Sequence, residues 1–465
     1  MAEPLWSSDE ILAATGGALA GAPFAATGVS IDTRTLESGD LFVALAGVRD
    51  GHEFVGAAME RGAAGVLASQ PVQGSAVMVG DTLAALEKLG VAARERAPQA
   101  RRGAVTGSVG KTSVTQAIRA GLFQAGRAHS SVKSYNNHIG VPLTLARMPR
   151  DTERAVFEIG MNHADEITPL TRMVLPHAVC ITTVAQAHIE NFADGETGVA
   201  RAKAEIFEGL EPGGVAVLNA DNRWFEFLGR EARARGAKVR AFGSGEGCDG
   251  RLTGFALEAD GARVEAVFEG RPMAFSLRQT GAHWGLMSLA ALLTMRALEV
   301  PLEAGLEALA AFEPLEGRGA ERQIRLAGGA VTLIDESYNA NPVSVAAALR
   351  TLGLRKTQHR RIAVLTDMLE LGKDSPAYHA GLAAEIEAAK VDLVFCAGPM
   401  MKNLWEALPA TRQGGYAETA AALEPSLVRA IEPGDLVMVK GSRDSKAKAL
   451  YEALSGLESR SGEAA

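Results

Sequence analysis

The sequence predicts an α/β protein of three domains, and three observations carry that expectation. The chain has 465 residues, against a usual domain size of roughly 150. Apolar, strand-like runs alternate with helical patterns through its middle and last thirds, the signature of mostly parallel sheets. A glycine-rich segment, TGSVGKTS, stands between a short apolar run and an amphipathic stretch, where a strand would hand over to a helix around a phosphate.

Composition narrows the function classes. Lys and Arg number 47 against 55 Asp and Glu, a net charge of −8, which argues against a broad basic surface for nucleic acid or anionic lipid. Hydrophobic residues at 47% and charged residues at 22% exclude wholesale disorder. Cys180, Cys248 and Cys396 are far apart and lack CxxC spacing, so neither a disulfide framework nor a zinc site is expected, and a reducing cytoplasm fits. The start, MAEPLWSSDE, lacks the basic residues of a signal peptide. Residues 11–31 carry no charge, but Gly16, Gly17, Gly21, Pro23 and Gly28 interrupt them. They read as a helix end and turn leading to a strand rather than a membrane span.

The first domain is expected over residues 1–98, with strand-like runs at 40–46 and 65–69. A helix over 82–97 stops before Pro98, and Arg101-Arg102 opens the next unit. The second, 99–313, has strand candidates at 104–106, 154–159, 178–184 and 215–219, and helices at 112–125 and 198–210. Within it, 243–276 holds GSGEGCDG and two alternating runs, which suits an antiparallel insertion or edge. The third, 314–465, has strand runs at 330–334, 362–366, 393–397 and 436–439. The first three begin about 30 residues apart, the period of βαβ units in a Rossmann-like domain.

Chemistry concentrates where strands end. Gly107, Ser108, Val109, Gly110, Lys111, Thr112 and Ser113 form the candidate phosphate loop. Its backbone amides and helix terminus would surround an anion, Lys111 would neutralise outer phosphates, and Thr112 could hold Mg²⁺. The spacing departs from the strict phosphate-loop pattern because Val105 replaces its first glycine. Glu158 ends an apolar run and suits a Mg²⁺ that bridges phosphates, but a solvent-facing strand-end glutamate fits as well. His188 in AQAHIENF could reach the same edge or be a satisfied structural histidine. Lys203, on residues alone, reads as a helix-surface lysine. In the last domain IDESYNANP and VMVKGSRDS place Tyr338, Asn339, Asn341, Lys440 and Arg443 beyond strands, suited to a polar or anionic ligand.

These segments together resemble the Mur ligase family, ATP-dependent amide-forming enzymes of peptidoglycan precursor synthesis. The resemblance covers nearly the whole chain: IDTRTLESGDLFVALAG with DGHEF, TGSVGKTS, YNNHIGVPLTL, FEIGMNHADEI, TTVAQAHIENF, ARAKAEIF, LNADN, DESYNANPVS, LTDMLELG and VKGSR. DESYNANP with DMLELG is closest to the member that adds D-alanyl-D-alanine to UDP-MurNAc-tripeptide. The resemblance implies a domain for the UDP-sugar, a central ATPase and a Rossmann-like domain that closes over the dipeptide. It assigns catalysis to Lys111, Glu158, His188 and Lys203, and Mg²⁺ to Thr112, Glu158, His188 and a carbamylated Lys203. ATP contacts extend to His283, Arg318 and Asp335. The sugar–peptide or dipeptide substrates fall to Thr33, Arg34, Asn136, Asn137, Tyr338, Asn339, Asn341, Lys440 and Arg443. A cytoplasmic monomer without stable membrane insertion is expected. Trp284 and Met287 stand where the family commonly has Asn, Thr366 where it has Gly, and the family's Met and Glu are missing after VKGSR. Other amide ligases of this type, a folylpolyglutamate-type ligase, and a phosphate-loop protein without ligase activity are the competing readings.

Overall fold

The computed structural model describes residues 4–47, 49–131, 134–187 and 189–458. Its strands fall into three main sheets, one for each expected domain. In the first, Gly28–Ser30, Asp40–Val43, Gly65–Ala68 and Ala76–Met78 run parallel, and Ala18–Ala20 closes one edge antiparallel. The charge-free stretch is a helix end followed by short strands: helix Ser8–Thr15 stops at Gly16, whose left-handed φ of 72° suits glycine. No helix among the described residues is long and apolar enough to cross a membrane.

The central sheet has nine strands, ordered Arg271–Leu277, Gly261–Phe268, Gly250–Glu258, Lys238–Gly243, Val215–Asn219, Ala178–Ile181, Arg101–Thr106, Arg154–Glu158 and Ala128–Ser130. All pairings are parallel except the last two hairpin pairings of the 250–277 meander, which sits antiparallel at the edge as its turn-rich sequence suggests. The inner strands are apolar on both faces because each face is covered by helices. Side chains alternate: Ala104, Ala155, Phe157, Val179 and Ala216 enter one core, whereas Val105, Val156, Cys180 and Val217 enter the other. Helix Trp284–Ala297 is buried nearly all round, which explains its lack of a polar stripe.

The C-terminal sheet is ordered Ala320–Leu326, Gly329–Glu336, Leu436–Lys440, Arg361–Thr366, Leu393–Ala397 and Gln413–Ala417. Only its first pair is antiparallel. The late strand Leu436–Lys440 inserts between two earlier ones, so the strand order switches there, and a crevice opens beyond the carboxyl ends, the usual ligand position in such sheets.

Several sequence expectations are corrected in detail. The single helix over 198–210 is an α-helix, Glu196–Ala204, followed by a 3₁₀ turn, Glu205–Gly209. Glu205 is diverted: its carboxylate accepts the amides of Asp165, Ile167 and Thr168, capping helix Ile167–Val174. A Cβ on Gly209 would sit 2.1 Å from the Thr171 carbonyl oxygen, so the turn packs too closely for a larger residue. The strand over 178–184 stops at Ile181, freeing Thr182 and Thr183 to hold the phosphate loop. Strands Lys238–Gly243, Ala128–Ser130, Ala320–Leu326 and Gln413–Ala417 were not legible, being short, carrying charge within the run or, for Gln413–Ala417, holding two glycines and little apolar surface.

Candidate active site

The loop Gly107–Gly110 turns inward because two of its residues are glycines in positions closed to side chains. Gly107 has φ +148°, and a Cβ there would lie 1.9 Å from Thr182 Oγ1; Gly110 has φ +84°. The loop is tied to the segment after strand Ala178–Ile181. Thr182 Oγ1 donates to the Val109 carbonyl at 2.5 Å, the Ser108 amide donates to the Thr183 carbonyl at 2.8 Å, and Ser108 Oγ donates to the Ala185 carbonyl at 3.0 Å. Helix Lys111–Ala125 starts directly behind it, so its terminal amides and dipole point into the loop. Lys111 Nζ folds back onto the Gly107 carbonyl at 2.6 Å. Burial lowers its pKa, Glu158 opposes that shift, and Arg318 adds to it.

Glu158 ends strand Arg154–Glu158 and is 2% exposed. It is not a solvent-facing strand end. One oxygen accepts from Ser134 Oγ at 3.0 Å and from Asn136 Nδ2 at 2.6 Å. Ser134 Oγ also lies 3.4 Å from Thr112 Oγ1. Arg318 approaches from the other domain, donating to Thr112 Oγ1 at 3.0 Å with its guanidinium carbon 3.9 Å from the Tyr338 ring centroid. A continuous polar chain therefore runs from Tyr338 and Arg318 through Thr112 and Ser134 to Glu158 and Asn136. Thr112, Ser134 and Glu158 offer hard oxygen donors at the mouth of a phosphate loop, which fits Mg²⁺.

Lys203 is not a surface lysine. It is 2% exposed in helix Glu196–Ala204 and forms no ion pair with another described residue. Burial pushes its pKa well below the ordinary lysine value, and the Lys111 charge pushes further. That favours the neutral amine, the form able to react with CO₂. His188 lies outside the described residues. Among those described, no group of three His, Cys, Asp or Glu residues with metal-binding geometry occurs.

The carboxyl ends of the central and C-terminal sheets face each other across a cavity of about 500 Å³. Gly110 to Ser113, Glu158, Asn136, Thr183 and Asn219 line one wall; Arg318, Tyr338, Asn339, Asn341, Lys440 and Arg443 line the other. Asn341 doubles as the cap of helix Pro342–Leu354, accepting the Ser344 amide at 2.9 Å. Lys440 is already held by Glu336 Oε2 at 3.2 Å and the Asn339 carbonyl at 3.1 Å. His283 lines the same cavity, with a buried Nδ1 that has no hydrogen-bond partner among the described residues. Burial also lowers its pKa. Trp284 and Met287 are core residues of the helix behind it, and the Met287 sulfur lies 3.3 Å from where a Gly110 Cβ would be.

Of the described sequence candidates, Gly107 and Lys203 do not line that cavity, and four more stand apart from it. Asp335 is fully buried and accepts from the Gly317 amide at 3.0 Å, the Ser337 amide at 3.1 Å and Ser337 Oγ at 2.5 Å. It braces the loops beside Arg318 and Tyr338 rather than lining the space. Asn137 Oδ1 accepts the Ile139 and Gly140 amides at the start of helix Gly140–Ala146. Thr33 and Arg34 follow strand Gly28–Ser30 in the first domain, where Arg34 pairs with Asp32 at 2.6 Å in an exposed position. Sequence reasoning missed Ser134, Thr182 and Glu336. Strand alternation carried a signal for the last, since Asp335 and Glu336 must point to opposite faces and Glu336 pairs in register with Lys440.

Comparison with known proteins supplies the family. The Mur ligase middle domain matches residues 105–295, and the Mur ligase glutamate ligase domain matches residues 322–443. The UDP-N-acetylmuramoyl-tripeptide–D-alanyl-D-alanine ligase of Escherichia coli is 34% identical, over 94% of this chain and 96% of that protein. The chain belongs to the Mur ligase family. The enzyme of the same name from Bacillus subtilis is 31% identical to this Mur ligase, over 92% of this chain and 93% of its own. A crystal structure of MurF from Acinetobacter baumannii superposes with a TM-score of 0.85 at 28% identity, covering 97% of this Mur ligase and 99% of that chain.

Proposed function

We propose that this Mur ligase joins D-alanyl-D-alanine to UDP-MurNAc-tripeptide at the expense of ATP, yielding UDP-MurNAc-pentapeptide, ADP and phosphate for peptidoglycan synthesis. The observation that carries the reading is the cavity of about 500 Å³ between the two sheets. Its central wall carries a phosphate loop and a buried carboxylate, and its C-terminal wall carries Tyr338, Asn339, Asn341, Lys440 and Arg443. Residues 1–98 would take the UDP-sugar, with Thr33 and Arg34 near the uridine end, residues 99–313 the nucleotide and residues 314–465 the dipeptide.

A carboxylate is a poor electrophile, so the amide bond requires activation. The terminal carboxylate of the tripeptide attacks the ATP γ-phosphorus, releasing ADP and leaving an acyl phosphate. The neutral amine of the dipeptide then attacks the acyl carbon, and the tetrahedral adduct collapses to the amide and phosphate. Lys111 leaves the Gly107 carbonyl to meet the transferring phosphoryl oxygens, together with the helix terminus behind it. Arg318 contributes a second cation from the opposite wall. His283 is positioned for the nucleotide through its unpartnered nitrogen. Asn136 holds Glu158 in place, and Lys440 and Arg443 attract the carboxylate end of the dipeptide.

Thr112, Glu158 and a carbamylated Lys203 would hold Mg²⁺, and the family resemblance implies the same role for His188. Bound there, the metal would supply charge stabilisation on phosphate oxygens. Closing the two walls excludes water from the labile acyl phosphate. The three cysteines are free, consistent with a cytoplasmic enzyme. The test is phosphate release with ATP, UDP-MurNAc-tripeptide and D-alanyl-D-alanine, omitting each in turn. Amide product and phosphate should appear in equal amounts only with all three. Phosphate release that ignores the dipeptide, with no amide formed, sinks the assignment.

A further inference from the structure

The short connector that carries Arg318 is clamped from behind by a lysine on the last helix. Gly317 and Gly319 flank Arg318 with φ of +72° and +96°, which lets the connector turn sharply and aim the arginine at Thr112. The turn is fixed through its backbone. The Gly317 amide donates to Asp335 Oδ2 at 3.0 Å, and the Gly319 amide donates to the Asp335 carbonyl at 2.8 Å. The other Asp335 oxygen is occupied by Ser337. Lys448 completes the arrangement, donating to Glu316 Oε1 at 2.5 Å and to Asp335 Oδ2 at 3.4 Å.

Lys448 stands in the first turn of helix Ala447–Ser455, behind a left-handed Lys446 with φ +66°. A cation there opposes the helix dipole, although within the helix its ammonium lies 5.0 Å from the Tyr451 ring centroid. Its counter-charges come from the connector and the strand end below it. Glu316 is exposed and Lys448 partly so, and exposed ion pairs add little to stability. What the lysine does is geometric. It shares the carboxylate oxygen that orients the Gly317 amide, and it ties Glu316, the residue before Gly317, to the same point.

We propose that Lys448 is a positioning residue that holds the 316–319 connector so that Arg318 meets Thr112 at the phosphate loop. It acts through Arg318 and touches no substrate. The inference rests on the nucleotide-binding role assigned to this loop above, and deepens it by placing control of one phosphate-side cation on the C-terminal helix.

The test compares wild type, Lys448→Gln, Lys448→Arg, Arg318→Ala and the double variant Lys448→Gln/Arg318→Ala. Two readouts are used: affinity for AMP-PNP with Mg²⁺, and kcat/KM for ATP in the complete ligase assay. Lys448→Gln is expected to lower both by roughly tenfold, to leave KM for UDP-MurNAc-tripeptide within about twofold, and to be rescued by Lys448→Arg. In the Arg318→Ala background it should add nothing, because the residue through which it acts is gone. Unchanged AMP-PNP affinity in Lys448→Gln, or losses that add in the double variant, overturn the proposal. A wild type that makes no amide product defeats the ligase reading alone, since the AMP-PNP comparison still decides the clamp.

Discussion

Asn136 donates to Glu158 at 2.6 Å, and the same carboxylate oxygen receives Ser134. The buried glutamate thus stays aimed at the phosphate loop without direct contact to a cation among the described residues. Charge held this way is costly unless its hydrogen bonds are kept. Replacing Asn136 with Ala removes one of two described donors, and kcat should fall about tenfold to a hundredfold. Glu158→Gln should cost more and raise the Mg²⁺ concentration needed for half activity. A Mg²⁺ titration of phosphate release separates the two. Equal Mg²⁺ dependence in Glu158→Gln and wild type would remove the carboxylate from metal binding.

Gly107→Ala places a methyl group where Thr182 Oγ1 already lies. The loop must shift away from the Thr182 and Thr183 contacts that shape it. AMP-PNP affinity should drop at least tenfold, as expected when loop amides no longer converge. Fluorescence or calorimetric titration reads this directly, and circular dichroism checks that the fold is kept. Near-normal affinity would mean that the glycine is dispensable.

Lys203 joins burial to reactivity. Its folded-state pKa is lowered, so the unfolded chain binds the extra proton at neutral pH. By linkage, the unmodified amine then makes stability rise with pH until the unfolded lysine itself deprotonates. In bicarbonate-depleted buffer, the melting-temperature difference between Lys203→Met and wild type should therefore shrink as pH rises from about 7 to 9. Turnover should fall at least a hundredfold in Lys203→Ala and be partly restored by acetate or formate, whose carboxylates replace the carbamate. Full activity in the unrescued alanine variant would end the carbamate role.

His129 gives a separate pH signature. Its Nε2 lies 2.7 Å from the Thr144 carbonyl, and burial depresses its pKa from 6.5 to about 4. The unfolded histidine gains a proton below 6.5 while the folded one resists it until about 4, so stability is lost as pH falls through that window. Full expression of that shift is worth about 3 kcal/mol as an upper bound. Chemical denaturation at pH 7 and pH 4.5 should show a smaller acid loss in His129→Gln than in wild type. Identical pH slopes in the two proteins would contradict the half-buried neutral imidazole.

The phosphate loop was legible because glycine spacing, a lysine and a helix start all specify the same backbone shape. The parallel sheets were legible because apolar runs covered on both faces leave a plain pattern. Ser134 was not, since its importance comes from meeting Thr112, Glu158 and Asn136, which no local pattern encodes. The family resemblance assigned Asp335 to ATP, yet its two oxygens are used by the Gly317 and Ser337 amides, Ser337 Oγ and Lys448. Lys203 is the sharpest case: residue type and helix position indicate a surface, and only the tertiary fold buries it. Docking of the first domain was equally hidden. Trp6 Nε1 donates to the Ala146 carbonyl at 2.8 Å, across 140 residues of sequence, and a Cβ on Gly90 would press within 3.1 Å of the Pro142 carbonyl oxygen.

The opposed sheets have a consequence for how such an enzyme diversifies. Lys111, Glu158 and Lys203 all stand on one side of the seam, while Tyr338, Asn339, Asn341, Lys440 and Arg443 stand on the other. Only the short connector around Arg318 belongs to both assignments. On the proposed roles, mutations of the C-terminal wall that spare Tyr338, which stacks on Arg318, can accumulate while the phosphate loop is kept, so the molecule is divided like a power unit and an interchangeable tool head.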